Sequence, residues 1–373
     1  MSLLESNQAY AYPVLTLPPE IVAEIFLHYL PPYPDCPPLR GPGSPTYLLG
    51  ICRQWREIAL HTPRLWRAVS LGAPVTDWNA DEAMRWFERS ANCRMSLHFD
   101  SLLIHALGLP IAALEKHLSR VEFLNWEVSA RLSESLVALL RSGPVTSMVD
   151  IALSNSWDEP LPVVSLKDAH RLRSVSLWNF DYRIDSLPWD FLTTLALLHV
   201  ALDECLPVVD AARSLMHLKL LIREVSEEPS SEISEEPSSI PTKIEHPLLE
   251  TFLLDTYIAE LPPTFDALSP FVLPALQRLE MTSNSFGFAR DGLDWLEAFI
   301  ARSQCSLGRL RILHEVDGVY NLVRPELAGE CRRVFSGTVV DETSEWDFLL
   351  AGDGWTKDVY WVPIETAPRR MAV

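Results

Sequence analysis

A chain of 373 residues, 48% of them hydrophobic, carries enough apolar material for one large domain or two. Its formal charge of −19 comes without any run of Lys and Arg, which argues against a surface built to neutralise phosphates, so no nucleic-acid partner is expected. The six cysteines (Cys36, Cys52, Cys93, Cys205, Cys305, Cys331) form no CxxC pair, and the first residues lack a basic region followed by an apolar core. With no stretch of about eighteen apolar residues either, the expectation is a reduced protein of the cytoplasm and/or nucleus with no membrane partner.

Residues 1–14 are polar and unpatterned and read as a disordered tail. At Leu17 the pattern changes. Pro18-Pro19-Glu20 suits a first helical turn, since proline needs no amide partner there and the carboxylate favours the positive end of the helix dipole. Ile21, Ile25, Phe26 and Tyr29 follow at helical spacing until Pro31-Pro32 ends the run. The Pro/Gly-rich text at 31–43 is too broken for regular structure. Ser44-Pro45 then predicts one helix of three turns, with Leu48, Ile51, Cys52, Trp55, Ile58 and Ala59 on a single face. Pro63 stops it, and Leu65-Trp66 supply a further anchor.

Beyond residue 70, amphipathic helices alternate with short apolar strands. Helices are predicted over Asp77–Ser90 (Ala83, Trp86 and Phe87 inward), Ser129–Arg141 (Leu132, Leu136, Leu139 and Leu140 inward) and Asp291–Arg302, with a strand over Arg94–Phe99. A strand motif also recurs. Leu172-x-x-Val175-x-Leu177 is followed by copies starting at Leu192, Leu215, Leu249, Leu276 and Leu307, with weaker ones at Leu118 and Met148. Their starts are separated by 30, 24, 20, 23, 34, 27 and 31 residues, a ragged period. This LxxLxL text is the strand of a leucine-rich repeat, whose alternate residues enter a shared core while the others line a concave sheet. On that exposed face Trp178, Arg278, Arg309 and Arg311 are the candidate substrate-binding residues, because Trp and Arg most often carry binding energy and arginines suit an acidic or phosphorylated segment.

Two acidic stretches interrupt the pattern. Ser226–Ser239 repeats SEEPSS and cannot bury enough to fold, so a disordered loop is expected at 226–239; Asp341–Asp347, with four acids, reads as a solvated loop. The repeat array is expected to end at 335, with 336–373 as a C-terminal cap whose Trp346–Trp361 segment protects the last strand edge.

No phosphate-binding glycine loop, nucleophile elbow or zinc-protease motif is present, and the ten histidines are isolated. A non-enzyme with no cofactor and no metal is expected.

The text LPPEIVAEIFLHYLPPYP, then SPTYLLGICRQWREIALHTPRLWRAVSL, resembles the F-box family, closely the many F-box proteins of mushroom-forming fungi. Leu-Pro followed by Glu-Ile, the central Cys-Arg-x-Trp-Arg and the closing Leu-Trp carry the likeness, which covers about 55 of 373 residues. The insertion at 31–43 is longer than the family's usual turn. The fold class that follows is α/β: a small N-terminal helical F-box over 15–71, then an irregular leucine-rich-repeat solenoid over 72–335. The resemblance implies a non-catalytic substrate-receptor subunit of a cullin–RING ubiquitin ligase, binding the adaptor subunit, and through it a cullin, and presenting an unknown protein substrate. It assigns adaptor docking to Leu17, Pro18, Ile21, Ile25 and Leu30 on the first helix, and to Leu48, Leu49, Cys52 and Trp55 on the second. The competing expectation is a leucine-rich interaction scaffold not engaged in a ligase.

Overall fold

The computed structural model describes residues 13–71, 77–99, 115–128, 136–141, 143–155, 163–180, 182–183, 185–223, 243–257, 266–286, 291–314 and 326–344. The acidic 226–239 text, most of the N-terminal tail, the first half of the predicted 129–141 helix and the Trp346–Trp361 segment lie outside these residues. The chain divides into two compact units, Met1–Leu124 and Asn125–Val373.

In the first unit, α1 (Pro19–Tyr29) starts as expected, with proline in its first turn and Glu20 beside it. Its buried face is Val22 and Phe26, one turn apart. The long helix predicted from Ser44 is instead two. α2 (Pro45–Leu48) is capped by Ser44, whose Oγ accepts from the Thr46 amide at 3.1 Å; α3 (Arg53–Leu60) is capped by Cys52, whose Sγ accepts from the Trp55 amide at 3.4 Å. The break has a local cause. Gly50 disfavours helix, Cys52 is extended (φ −155°), and the Leu49 carbonyl accepts from Arg56 Nε at 2.8 Å instead of continuing a helical ladder. Phe26 meets Trp55 edge-on with centroids 5.0 Å apart, joining α1 to α3.

A 3-10 turn over Pro63–Trp66 then buries Leu65 and Trp66 completely. Strand β1 (Ala68–Leu71), helix α4 (Asp77–Arg89) and strand β2 (Met95–Phe99) follow, the two strands pairing in parallel from Ala68↔Ser96 to Leu71↔Phe99. Ala83, Trp86 and Phe87 are buried, as the periodicity of that helix requires. Strand β3 (Val121–Val128) is the next neighbour of β2. Arg120 ahead of it caps α4, its guanidinium donating to the carbonyls of Phe87, Ala91 and Cys93.

The second unit contributes β4 (Asp150–Asn155), β5 (Ser174–Trp178), β6 (Thr194–Val200), α5 (Leu202–Ala211), β7 (His217–Arg223), β8 (Ile244–Glu245), β9 (Thr251–Tyr257), β10 (Phe271–Val272), β11 (Arg278–Thr282), α6 (Asp291–Ser303), β12 (Arg309–His314), α7 (Leu327–Val334) and β13 (Val339–Ser344). Eight of the strands lie side by side in the order β4-β5-β6-β7-β9-β11-β12-β13, and each neighbouring pair is parallel. β8 and β10 form a separate parallel pair. The fold is α/β, with sequence order and spatial order the same throughout this sheet.

Each of the six strong LxxLxL copies enters its own strand, and all eighteen apolar positions, from Leu172, Val175 and Leu177 to Leu307, Leu310 and Ile312, are buried. The entry to each strand repeats one hydrogen-bond device, in which two successive amides donate to a single carbonyl of the preceding segment. Arg173 and Ser174 share Val149 O, Thr193 and Thr194 share Arg173 O, and Gln277 and Arg278 share Glu250 O. A ragged sequence period thus coexists with in-register strand entries, because extra residues are absorbed in the connections; the β6–β7 ladder shifts register once, between Leu198 and Val200.

One expectation needs correction. Within the segment expected to cap the last repeat, β13 adds to β12 from Arg309↔Val339 to His314↔Ser344, and the Val339 amide donates to Gly308 O. The acidic text from Asp341 to Ser344 is therefore strand rather than loop. Alternation explains it, since Val340 is buried while Asp341 points to the other face beside Arg309 and Arg311.

Candidate functional site

Two surfaces stand out, one in each unit. In the first unit α1 is apolar on two faces. Val22 and Phe26 fill the core, whereas Ile21 and Ile25 are 50% and 45% exposed, and Tyr29 continues their line one turn on. Tyr47 and Ile51, at the α2–α3 break, are also exposed. Helical periodicity alone puts Ile51 inward; the break after Leu49 turns it out. Several bulky apolar side chains exposed on some forty residues is the mark of an interaction surface.

The residues expected to dock an adaptor separate into four groups. Pro18, Ile21 and Ile25 are exposed, and Leu17, Leu30 and Leu49 are half-buried. Leu48 is a correction: it is buried in the core of the unit and offers no contact area to a partner. Cys52 and Trp55 are half-buried and structurally occupied, the first as the α3 cap and the second against Phe26. Sequence reasoning does not include Tyr29, Tyr47 and Ile51 in this exposed apolar surface. For Tyr29 the signal is present, as the i+4 successor of Ile25.

The second surface is the sheet face opposite the buried leucines. Rows of in-register residues cross it, and one reads Ala152, Ser176, Ala196, Lys219, Leu253, Glu280, Arg311 and Asp341. Neighbouring strands lie about 4.8 Å apart, so Arg311 sits between Glu280 and Asp341 and opposite charges alternate at the β11–β13 end. Arg311 and Glu280 are 3% and 1% exposed, and Lys219 is buried. Each of the three is engaged by interactions within the chain. Arg311 is therefore corrected as a ligand-reading residue: its charge is buried and set between carboxylates of adjacent strands. Arg309 donates through Nε to Asp341, with both side chains still partly exposed. Arg278 and Trp178 are half-buried, so three of the four expected residues keep some accessible surface.

At the β4 side the parallel row Asp150, Ser174, Thr194 and His217 begins with a buried acid. Burial pushes the Asp150 carboxyl up to about 7 from its usual 3.8, and a hydrogen bond with Ser174 pulls in the opposite direction. A raised pKa in the folded state means that the neutral form is favoured by folding. Its stabilising contribution is full below about 3.8 and is lost as pH rises through about 7. Asp150→Asn is accordingly expected to gain stability over wild type by about 1.4 kcal/mol per pH unit across that window and to level off above it. Urea denaturation at pH 5, 6, 7 and 8.5 measures this, and a pH-independent difference would rule it out.

Among the described residues, no group of three or more His, Cys, Asp or Glu side chains is placed to hold a metal. All six cysteines are free thiols, and burial pushes Cys36 and Cys331 up to about 12, which keeps them protonated and poorly nucleophilic. The eight-strand order never reverses, so it contains no topological switch point of the kind at which open α/β sheets bind nucleotides. No described helix is long and apolar enough to cross a membrane. Comparisons with protein-family models, curated proteins and solved structures find no match to this chain.

Proposed function

We propose that this chain is an F-box substrate receptor of a cullin–RING ubiquitin ligase, with the exposed α1 stripe docking on the adaptor subunit and the parallel sheet holding a protein substrate. The observation that carries the reading is the two-faced α1. A helix that commits Val22 and Phe26 to its own core and leaves Ile21, Ile25 and Tyr29 in solvent is built for a second apolar partner. The Leu-Pro, Cys-Arg-x-Trp-Arg and Leu-Trp elements of the resemblance fall just ahead of α1, on α3 with its cap, and in the 3-10 turn over Pro63–Trp66.

The second unit supports the receptor half of the reading. Six LxxLxL copies on six successive strands of the sheet, in sequential parallel order and with a repeated two-amide entry, fit a leucine-rich solenoid. Its rows of mixed polar and apolar residues are varied enough to recognise one protein, and Trp178, Arg278 and Arg309 are the accessible anchors among those expected.

The experiment is co-purification of the full chain with the adaptor subunit, followed by size-exclusion chromatography with light scattering. The expected result is a stable one-to-one complex. Absence of a complex at tens of micromolar would favour the leucine-rich scaffold that engages no ligase.

A further inference from the structure

The Pro/Gly-rich insertion at 31–43 is not spare loop. At its start Tyr33 donates through its hydroxyl to Glu122 Oε2 at 3.1 Å, and its ring meets Phe123 edge-on with centroids 5.5 Å apart. The Arg67 guanidinium lies 3.7 Å from the Tyr33 ring centroid, and Arg94 pairs with the other Glu122 oxygen at 3.0 Å. Three residues on, Cys36 contacts Ser96 through its sulfur, and Pro37 beside it is buried. These partners belong to the entry of β1 (Arg67), the start of β2 (Arg94, Ser96) and the start of β3 (Glu122, Phe123). One short segment thus touches three successive strands at the same end.

The far end of the insertion is tied back to the helices. The Gly43 amide, in a turn that requires its positive φ of 81°, donates to Tyr29 Oη at 2.6 Å, and Thr46 Oγ1 donates to Leu39 O at 2.9 Å. Tyr29 is the last residue of the exposed α1 stripe. The insertion therefore connects the end of that stripe to the strand entries directly.

A separate attachment already exists through Trp66, whose Nε1 donates to Ala59 O and whose ring packs on Trp86 of α4. A single attachment leaves a hinge; two attachments at different points remove it. We infer that residues 31–43 are a strut that, together with Trp66, fixes the direction in which the α1 apolar face points from the β1–β2–β3 edge, with Tyr33 as the positioning residue. The inference holds whatever partner occupies that face, so its failure and that of the adaptor reading are separate results.

The test is a distance distribution between spin labels at His28 on α1 and Glu88 on α4, both exposed, introduced on a genetically encoded ketone residue to spare the native cysteines. Wild type is expected to give one narrow peak. Tyr33→Ala is expected to at least double its width while amides of α1 and α3 keep their hydrogen-exchange protection. Tyr33→Phe, which keeps the Phe123 and Arg67 contacts, should fall between the two. An unchanged width in Tyr33→Ala would overturn the inference. Should Tyr33→Ala lose α1 protection instead, Glu122→Ala, which removes the acceptor of the Tyr33 hydroxyl and leaves the ring in place, decides it: broadening supports the strut, and a wild-type peak refutes it.

Discussion

Ile25→Glu is expected to abolish adaptor capture, with a loss of at least a hundredfold in affinity and no loss of fold. The side chain is 45% exposed, so the free protein tolerates a carboxylate there at a cost within about 0.5 kcal/mol. In a complex the same position would be enclosed between apolar surfaces, and an unpaired charge taken out of water costs several kcal/mol. Ile21 and Tyr29, one turn to either side, offer no cation to neutralise it. The measurement is adaptor affinity by calorimetry, with the melting temperature and far-ultraviolet circular dichroism compared alongside. A folded variant that captured the adaptor as well as wild type would remove this face from the docking surface. Phe26→Ala gives the contrast: its ring is fully buried against Trp55, so it should lower stability first and binding only as a consequence.

Trp66→Ala is expected to lower the stability of the first unit by about 3–5 kcal/mol, the range for truncating a fully buried aromatic. Trp66 is inaccessible to solvent, meets Trp86 edge-on at 5.5 Å and has the Arg89 guanidinium 4.6 Å from its ring centroid. Its Nε1 also donates to the Ala59 carbonyl at 2.9 Å, near the end of α3. Removing the indole opens a cavity, takes away a cation–π contact and leaves that carbonyl without its side-chain donor. Arg89 is in addition held by Glu82, a buried carboxylate that also accepts from Trp86 Nε1, so the cluster loosens as a unit. Trp66→Phe, which keeps a ring and loses the hydrogen bond, should cost less than half as much. Guanidinium titration followed by circular dichroism reads both. A midpoint unmoved by Trp66→Ala would mean that the α3–α4 junction is held elsewhere.

Much of this architecture is legible in the residues. The six LxxLxL copies fall on six strands because period-two alternation with a buried face tolerates no slip of register: sliding β5 by one position would turn Val175 and Leu177 outward together. α1, α4 and α6 are legible for a similar reason, each carrying an apolar period near 3.6 with a proline or an acid at its start. The docking face is half legible. Ile21 and Ile25 are identified by their spacing, but the text puts Leu48 and Ile51 on one face, whereas Leu48 is buried and Ile51 is exposed.

What the chain determines by itself is local: the positions of strands, the starts of helices and the apolar content of α1. Only tertiary structure decides which of two apolar faces of α1 is covered, because Val22 with Phe26 and Ile21 with Ile25 are equivalent as text, and only the first pair is buried, with Trp55 of α3 against Phe26. It also decides that Asp341 lies on a strand and that Arg311 is buried. Both outcomes depend on residues some thirty positions away in sequence that the parallel register sets about 4.8 Å apart. The acidic text between Asp341 and Ser344 reads as solvated when it stands alone. Beside Arg309 and Arg311 its charge is balanced, Val340 has a core to enter, and the segment becomes the last strand of the sheet.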